Sequence, residues 1–374
     1  MNEHAQVAII GAGFSGLHAA YQLQKAGISY VILEARAITG GRIISCGSEP
    51  GTPDLRAAPE GRVDLGATWV WPSFQPLLAA LTAELNITLI PQAEGGDILY
   101  ERTHHQPPSR HPGYVSSPPS MRVAGGMRLL TERLEERINS ERLYTDTRVV
   151  RIEKAGREIQ IHTISSEEIC REFTVGNVLL ALPPALAANI EYYPALPARL
   201  SEEWANTGTW MAPHAKYVAI YQDDFWRQAG LSGEARSAVG PMAEIHDASV
   251  PGSVYALFGF LGVPARARWT TSEENLKSLC RAQLTRLFGE KASAPVAEYF
   301  KDWADDPYTA TAKDLLIQAG HTVPAAFPAM GPWAGSLCGI ASEWSDQFPG
   351  YLAGAVDASL EGVRQVQQKI VQDN

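Results

Sequence analysis

Three glycines, Gly11, Gly13 and Gly16, with Glu34 following 18 residues after the last, make a set that could hold a dinucleotide. The first glycine permits a tight turn. The second lets the backbone approach a pyrophosphate, and the third lets a helix pack closely on a strand. An acid at the tip of the next strand can accept hydrogen bonds from a ribose. The elements that must place these groups follow in order. An apolar β-type run (Val7–Ile10) leads into the glycines, a helix-patterned stretch ends near Gly27, and a second apolar run (Val31–Leu33) delivers Glu34. The new helix would turn its unsatisfied N–H groups and positive end towards the phosphates. Strand, glycine turn, helix, strand and acid together predict a βαβ unit built for a dinucleotide.

A second chemical candidate is Lys216, in the segment HAKYVAIYQDDFW (His214–Trp226). A strand there puts His214, Lys216 and Val218 on one face. Burying an unpaired ammonium is costly, so this lysine either serves a site or reaches solvent from an edge strand. His214 is either a pocket wall or a hydrogen-bonded structural histidine. His104, His105 and His111 lie in a stretch, 92–120, that reads as irregular, with five prolines between Pro107 and Pro119. No Cys, Asp and Glu set completes a ligand shell around them, and no metal is expected.

The chain has 374 residues, 45% of them hydrophobic and 19% charged, an ordinary globular composition that suggests two domains. A formal charge of −10 disfavours nucleic acid and anionic membrane as partners. It suits cationic ligands, and a solvated acidic surface accounts for it equally well. Cys46, Cys170, Cys280 and Cys338 form no CxxC pair and read as free thiols of a reducing cytoplasm. No secretory signal or tail anchor is expected. The longest apolar run, Val178–Ala188, has 11 residues and holds Pro183 and Pro184, so no membrane span is expected. No fixed-period repeat is visible.

Further elements are a polar, Pro/Gly-rich loop to about Gly61, a β-type stretch VDLGATWVW (Val63–Trp71) and a helix over Pro76–Ile87. A glycine-opened amphipathic helix covers Gly125–Ile138. Three short β patterns follow, the last closed by Pro183–Pro184, and a long final helix opens at Pro349–Gly350–Tyr351.

GAGFSG, LEAR…GGR, DLGATWVW, AGGM, TRVVRIE, VLLALPP, AKYVAIYQDDFW, WADDPYTAT and ASEWSDQFPGYLAGA run in this order from residue 7 to about 356. In that order the chain resembles the flavin-containing monoamine oxidase family; only 73–120 matches poorly. The resemblance implies an α/β fold: a Rossmann-like FAD-binding domain of glutathione-reductase-like topology with an inserted α+β substrate domain. The expected boundaries are 1–72, 121–205 and 307–374 for the FAD-binding domain, and 73–120 and 206–306 for the substrate domain. By matched position, Gly11, Gly13, Ser15 and Gly16 would cradle the pyrophosphate and Glu34 would take the AMP ribose. Arg36, Gly41 and Arg42 would lie along the ribose and phosphates. Gly66, Ala67, Thr68 and Trp69 would pass beside the isoalloxazine, and Val149 would meet the adenine through its backbone. Trp303 would pack by the dimethylbenzene edge or form a core wall. Glu343 matches the family's acid, and Tyr351 and Leu352 open the last helix, whose N-terminus would face the flavin pyrimidine edge and favour the anionic reduced ring.

The resemblance makes Lys216 the lysine that holds a water near flavin N5 and Tyr351 one wall of an aromatic cage around the substrate amine. The implied reaction oxidises an amine C–N bond to an imine, which water converts to a carbonyl product and ammonia or a smaller amine. O2 would reoxidise the flavin, giving H2O2. Departures from the family pattern are Ala341–Ser342 ahead of Glu343, Ala353 in LAGA, and Lys313 at the second cage position. Ala312 stands where some members carry a flavin-linking cysteine, so non-covalent FAD is expected. The expected partners are a small amine and O2, with a homodimer possible. Two other function classes fit the same fold: a flavin desaturase or isomerase acting on a C–C bond, and a non-catalytic flavoprotein. A short 73–120 segment suggests a trimmed cap, and the substrate is not readable.

Overall fold

The computed structural model describes residues 2–47, 59–315 and 323–373. The polar loop expected before Gly61 lies largely outside them. The chain divides into two compact units. The first comprises Met1–Arg42, Leu130–Ala212 and Asp306–Asn374, and the second Ile43–Leu129 and Pro213–Asp305.

In the first unit, the described residues form an eight-stranded sheet. Its central strand Asn2–Ile10 pairs in parallel with Tyr30–Leu33 on one side and Cys170–Leu180 on the other. Val7–Ile10 and Tyr30–Leu33 are buried throughout, as parallel strands covered on both faces must be. The helix Phe14–Lys25 crosses between them, giving the βαβ unit. Leu337–Gly339 adds a further parallel strand beside Cys170–Leu180. The closing helix Leu352–Asp373 packs on the first helix, with His18 Nδ1 2.7 Å from Ser359 Oγ.

The second unit is built on a seven-stranded sheet in the order Ala297–Asp302, Ala215–Tyr221, Tyr255–Leu261, Met242–Asp247, Leu231–Ser237, Asp97–Glu101 and Ser109–Pro112. One face packs on the helix Glu273–Phe288 around Tyr217, Tyr221 and Leu284. The other face, bearing Val218 and Phe258, packs on Cys46, Val63 and Leu65.

Four elements differ from expectation. The stretch 92–120 is not irregular throughout: Asp97–Glu101 and Ser109–Pro112 pair as the last two strands of the sheet. VDLGATWVW contributes only Val63–Asp64 to a strand, and Gly66–Trp69 runs outside any ladder. The helix expected from Gly125 begins at Arg128, because Gly125 and Gly126 form the left-handed turn ahead of it. Residues 43–47, 59–72 and 121–129, expected with the FAD-binding domain, fall in the second unit, and 206–212 with 306, expected with the substrate domain, fall in the first. In the second unit the strand Ser45–Cys46 pairs with Val63–Asp64, and Leu89–Pro91 pairs with Met121–Val123.

Candidate active site

In the first unit, local backbone geometry shapes the glycine turn expected to hold a dinucleotide. The strand ends at Ile10, Gly11 turns, and the helix starts at Phe14 with Gly13 as a cap that has no side chain to offer its N–H groups. Those N–H groups therefore keep their capacity for an anion. Ser15 donates its hydroxyl to Ile340 O. Gly13 lies beside Gly40, across an isolated parallel bridge, and Gly40 N donates to Ala12 O at 2.9 Å. A Cβ built on Gly13 would meet only Gly41 Cα, at 3.8 Å, so the cap carries open space that a side chain would fill.

Glu34 is 4% exposed at the end of the second strand. Its carboxylate accepts Ala12 N at 2.7 Å and Arg36 N at 2.9 Å. Burial pushes this carboxyl up, against the opposing pull of those two N–H groups and of Arg36. Thr147 N donates to Glu34 O at 2.8 Å, and Asp146 N to Arg36 O at 2.8 Å. Val149 stands two residues on, where the ladder with Glu158–Ile164 shifts register. Glu34, Arg36 and Val149, matched separately on sequence, thus share one corner. Arg36 turns to the 306–309 loop, donating to Asp306 Oδ1 at 2.7 Å and Thr309 Oγ1 at 3.2 Å, with its guanidinium 5.2 Å from the Tyr308 ring centre.

Arg42 and Glu343 join each other. Arg42 reaches Glu343 Oε1 at 2.5 Å and Oε2 at 3.1 Å, a bidentate pair whose acid is 3% exposed. Burial alone would raise the Glu343 carboxyl, but Arg42 reverses this and holds it below the ordinary range. Gly350 N donates to Ser342 O at 3.1 Å, tying this pair to the turn that opens the last helix at Leu352. Tyr351 stands just ahead of that helix, 43% exposed. Lys313 is exposed and donates to Asn206 Oδ1 at 3.2 Å.

Breaking a buried pair by removing one partner costs about 3–5 kcal/mol. We therefore expect Glu343→Ala to lower unfolding stability in urea by about that amount at neutral pH. A carboxyl held below its unfolded value stabilises the fold above the unfolded value. That stabilisation fades as pH falls through the folded value. The gap between wild type and variant should narrow on acidification below pH ~4. A gap independent of pH would show that the charge pair is not its source.

In the second unit, Lys216 is completely buried, 0% exposed, on the strand Ala215–Tyr221. Its Nζ donates to Thr68 Oγ1 at 2.6 Å and Gly66 O at 3.3 Å, and lies 4.1 Å from the centre of the Phe258 ring. The edge-strand alternative is removed, because this strand is flanked by Tyr255–Leu261 and Ala297–Asp302. Burial lowers the amine to about 7, with Asp64 pulling up and Arg122 pushing down. Trp69 donates its indole N–H to Gln92 Oε1 at 2.8 Å and meets His246 edge-on at 5.0 Å. Trp303 is enclosed in the core, its indole N–H donating to Leu65 O at 3.1 Å. His214 is pushed below the ordinary histidine range, first by burial and then by Arg268.

Asp64 and Arg122 were not anticipated. Asp64 Oδ1 accepts Met127 N at 2.8 Å and also the Ser45 hydroxyl, and Arg122 donates through Nη2 to Ser249 O. Asp64 opens the DLGATWVW match, which gives it no role of its own, and Arg122 lies two residues ahead of AGGM, outside every matched motif.

The sequence matches the flavin containing amine oxidoreductase family over residues 113–367 and a NAD(P)-binding Rossmann-like domain over residues 9–85. The fold and these two matches define a flavin-type dinucleotide-binding protein. The chain belongs to the flavin-containing amine oxidoreductase family. It is 27% identical over 258 residues to a probable flavin-containing monoamine oxidase A of Dictyostelium discoideum, covering 67% of this chain and 54% of that protein. It is 26% identical over 251 residues to amine oxidase B of Sus scrofa, covering 66% and 46%. The chain spans about half the length of the curated relatives it matches. Among solved structures, putrescine oxidase bound to putrescine superposes with a TM-score of 0.77 at 21% identity, covering 99% of this chain and 100% of that one. Cyclohexylamine oxidase from Brevibacterium oxydans gives 0.79 at 18% identity, covering 98% and 99%. These two establish the shared fold.

Proposed function

We propose that this protein is an FAD-dependent amine oxidase that oxidises the C–N bond of a small amine, with O2 as the electron acceptor. The observation that carries this reading is Lys216. A fully buried lysine fixed by Thr68 and Gly66 is an expensive arrangement, and the sequence resemblance matches it to the family lysine that holds a water near flavin N5. Membership of the family and the open glycine cap support FAD as the bound group. Bound flavin supplies an acceptor for a hydride equivalent.

The residues divide the work as follows. The N–H groups at the start of the helix Phe14–Lys25 bind the pyrophosphate, and Glu34 takes the ribose. Arg42 and Glu343 brace the loop beside the last helix. Lys216 holds a water and carries an exchangeable proton at Nζ, close to neutral pH because of burial. Tyr351 shields the substrate amine on one side.

Non-covalent binding is supported by Ala312 and by the thiols. Cys46, Cys280 and Cys338 are buried, and burial raises the latter two to about 12. Four cysteines that form no disulfide suit a cytoplasmic setting. Among the described residues no helix is long and apolar enough to cross a membrane.

The visible spectrum of the purified protein, followed anaerobically as primary amines, polyamines and amino acids are added, tests the proposal. Flavin bands that bleach with one class of amine support it and name the substrate. Flavin bands that no amine bleaches overturn it in favour of carbon–carbon chemistry or a non-catalytic role.

A further inference from the structure

Behind Lys216 lies a cavity of about 10 Å³, lined by Arg62, Asp64, Thr68, Arg122, Lys216 and Phe258 among others. That is room for a single water, and a water in such a place needs two or more polar partners. Arg122 is 6% exposed, and its Nε is buried with no hydrogen-bond partner. Its Nη2 is committed to Ser249 O. An unmet guanidinium N–H beside a water-sized polar cavity is a costly combination. An ammonium has three N–H donors, and Lys216 commits only two, to Thr68 and Gly66.

We propose that this cavity is a fixed-water site held by Arg122 Nε, and that Asp64, Arg122 and this water act as positioning residues and ligand for the Lys216 amine. The placement comes from separate elements: Asp64 from the strand Val63–Asp64, Arg122 from Met121–Val123 and Lys216 from Ala215–Tyr221. Asp64 is the one acid on the cavity wall, facing Arg62, Arg122 and Lys216. Other titratable groups lie outside this wall. Lys301 is opposite Lys216 in the ladder, with its Nζ 4.8 Å from the Trp303 ring centre. His246 stacks on Phe258, His214 lies just ahead of the strand that carries Lys216, and the paired Asp247 and Arg227 act on Arg122 from beyond the wall. Burial pushes the Asp64 carboxyl up, and Lys216 is the largest opposing influence. The role as a positioning set rests on the amine-oxidase reading of Lys216; the water and the charge coupling do not.

Two measurements on the FAD-loaded enzyme test this. A crystal structure that resolves ordered waters should show one within hydrogen-bond distance of Arg122 Nε. An empty cavity overturns the water site. The second is the titration midpoint of Lys216, read from its 13Cε resonance and assigned by its absence in Lys216→Met. Asp64→Asn keeps an oxygen for Met127 N and removes the charge, so the midpoint should fall by about one pH unit or more. Arg122→Gln should raise it. Mere loosening of the core would admit solvent and raise the midpoint in both variants. A rise or no change in Asp64→Asn therefore overturns the coupling. Where Asp64→Asn fails to fold, Lys216→Met reads the same coupling from the other side, because linkage is reciprocal. The Asp64 13Cγ midpoint should then rise, and an unmoved value overturns the proposal. None of these readouts uses an amine substrate, so their failure is distinct from failure of the anaerobic bleaching.

Discussion

Gly13→Val is expected to fold and to lose FAD, whereas Gly16→Val is expected not to reach the native fold. The two glycines lie three residues apart at the start of one helix, and their surroundings are opposite. Gly13 has φ −74° and ψ −178°, a backbone any residue adopts, and a Cβ there meets only Gly41 Cα at 3.8 Å. The folded protein therefore has room for the side chain. The space it would fill is the face of the helix N-terminus, where a pyrophosphate must come against the backbone. Keeping two phosphate hydrogen bonds from forming, at about 1.5–3 kcal/mol for each bond to a charged group, weakens binding by roughly 100-fold or more. At Gly16 a Cβ would stand 2.0 Å from Gly11 O and 3.1 Å from Ala181 Cβ. The first obstacle is backbone, so the strand–turn–helix corner would have to open. Thermal unfolding by circular dichroism and the visible absorbance of the purified protein separate the two effects. A Gly13→Val protein that keeps its flavin bands at stoichiometric FAD would refute the placement of the pyrophosphate.

The dinucleotide corner was legible because its information is local. Turn, helix start and acid fall within 24 residues of one another, from Gly11 to Glu34, and each residue type has a steric or hydrogen-bonding reason. What joins distant segments was not legible. Arg42 and Glu343 each matched a family position, but their pairing spans 301 residues. Lys216 and Thr68, each expected beside the flavin on a separate motif, lie 148 residues apart and are hydrogen-bonded. Asp64 sits in DLGATWVW without a role that the match supplies, Arg122 lies outside every matched motif, and the cavity between them exists only once strands from four parts of the chain have met. The strands in 92–120 escaped for a different reason. Ser109–Pro112 is exposed at every position, so it shows no inside–outside alternation, and proline is tolerated on such an edge.

Lys216→Met is expected to keep FAD while oxidative turnover falls by about 10²–10⁴-fold, the range for loss of a positioned proton-transfer group. The substitution also has a signature in stability, which depends on the same proton. Folding holds this amine at about 7, below its ordinary value near 10.4. Between those values the unfolded chain binds the proton and the folded chain does not, so stability rises with pH across the window. Below pH 7 both states are protonated, and the wild type bears the full cost of a buried ammonium. Above ~10.4 neither is protonated, and that cost is gone. Methionine has similar reach and a thioether that packs well against Phe258, and it titrates nowhere. The variant should therefore be the more stable protein below pH 7, with its advantage shrinking steadily towards pH 10 in urea unfolding. Unchanged turnover would remove Lys216 from the reaction. A fall in turnover with a stability gap that ignores pH would leave Lys216 as a packing residue whose proton has no part in the chemistry. Only the two effects together tie the buried amine to its proposed work.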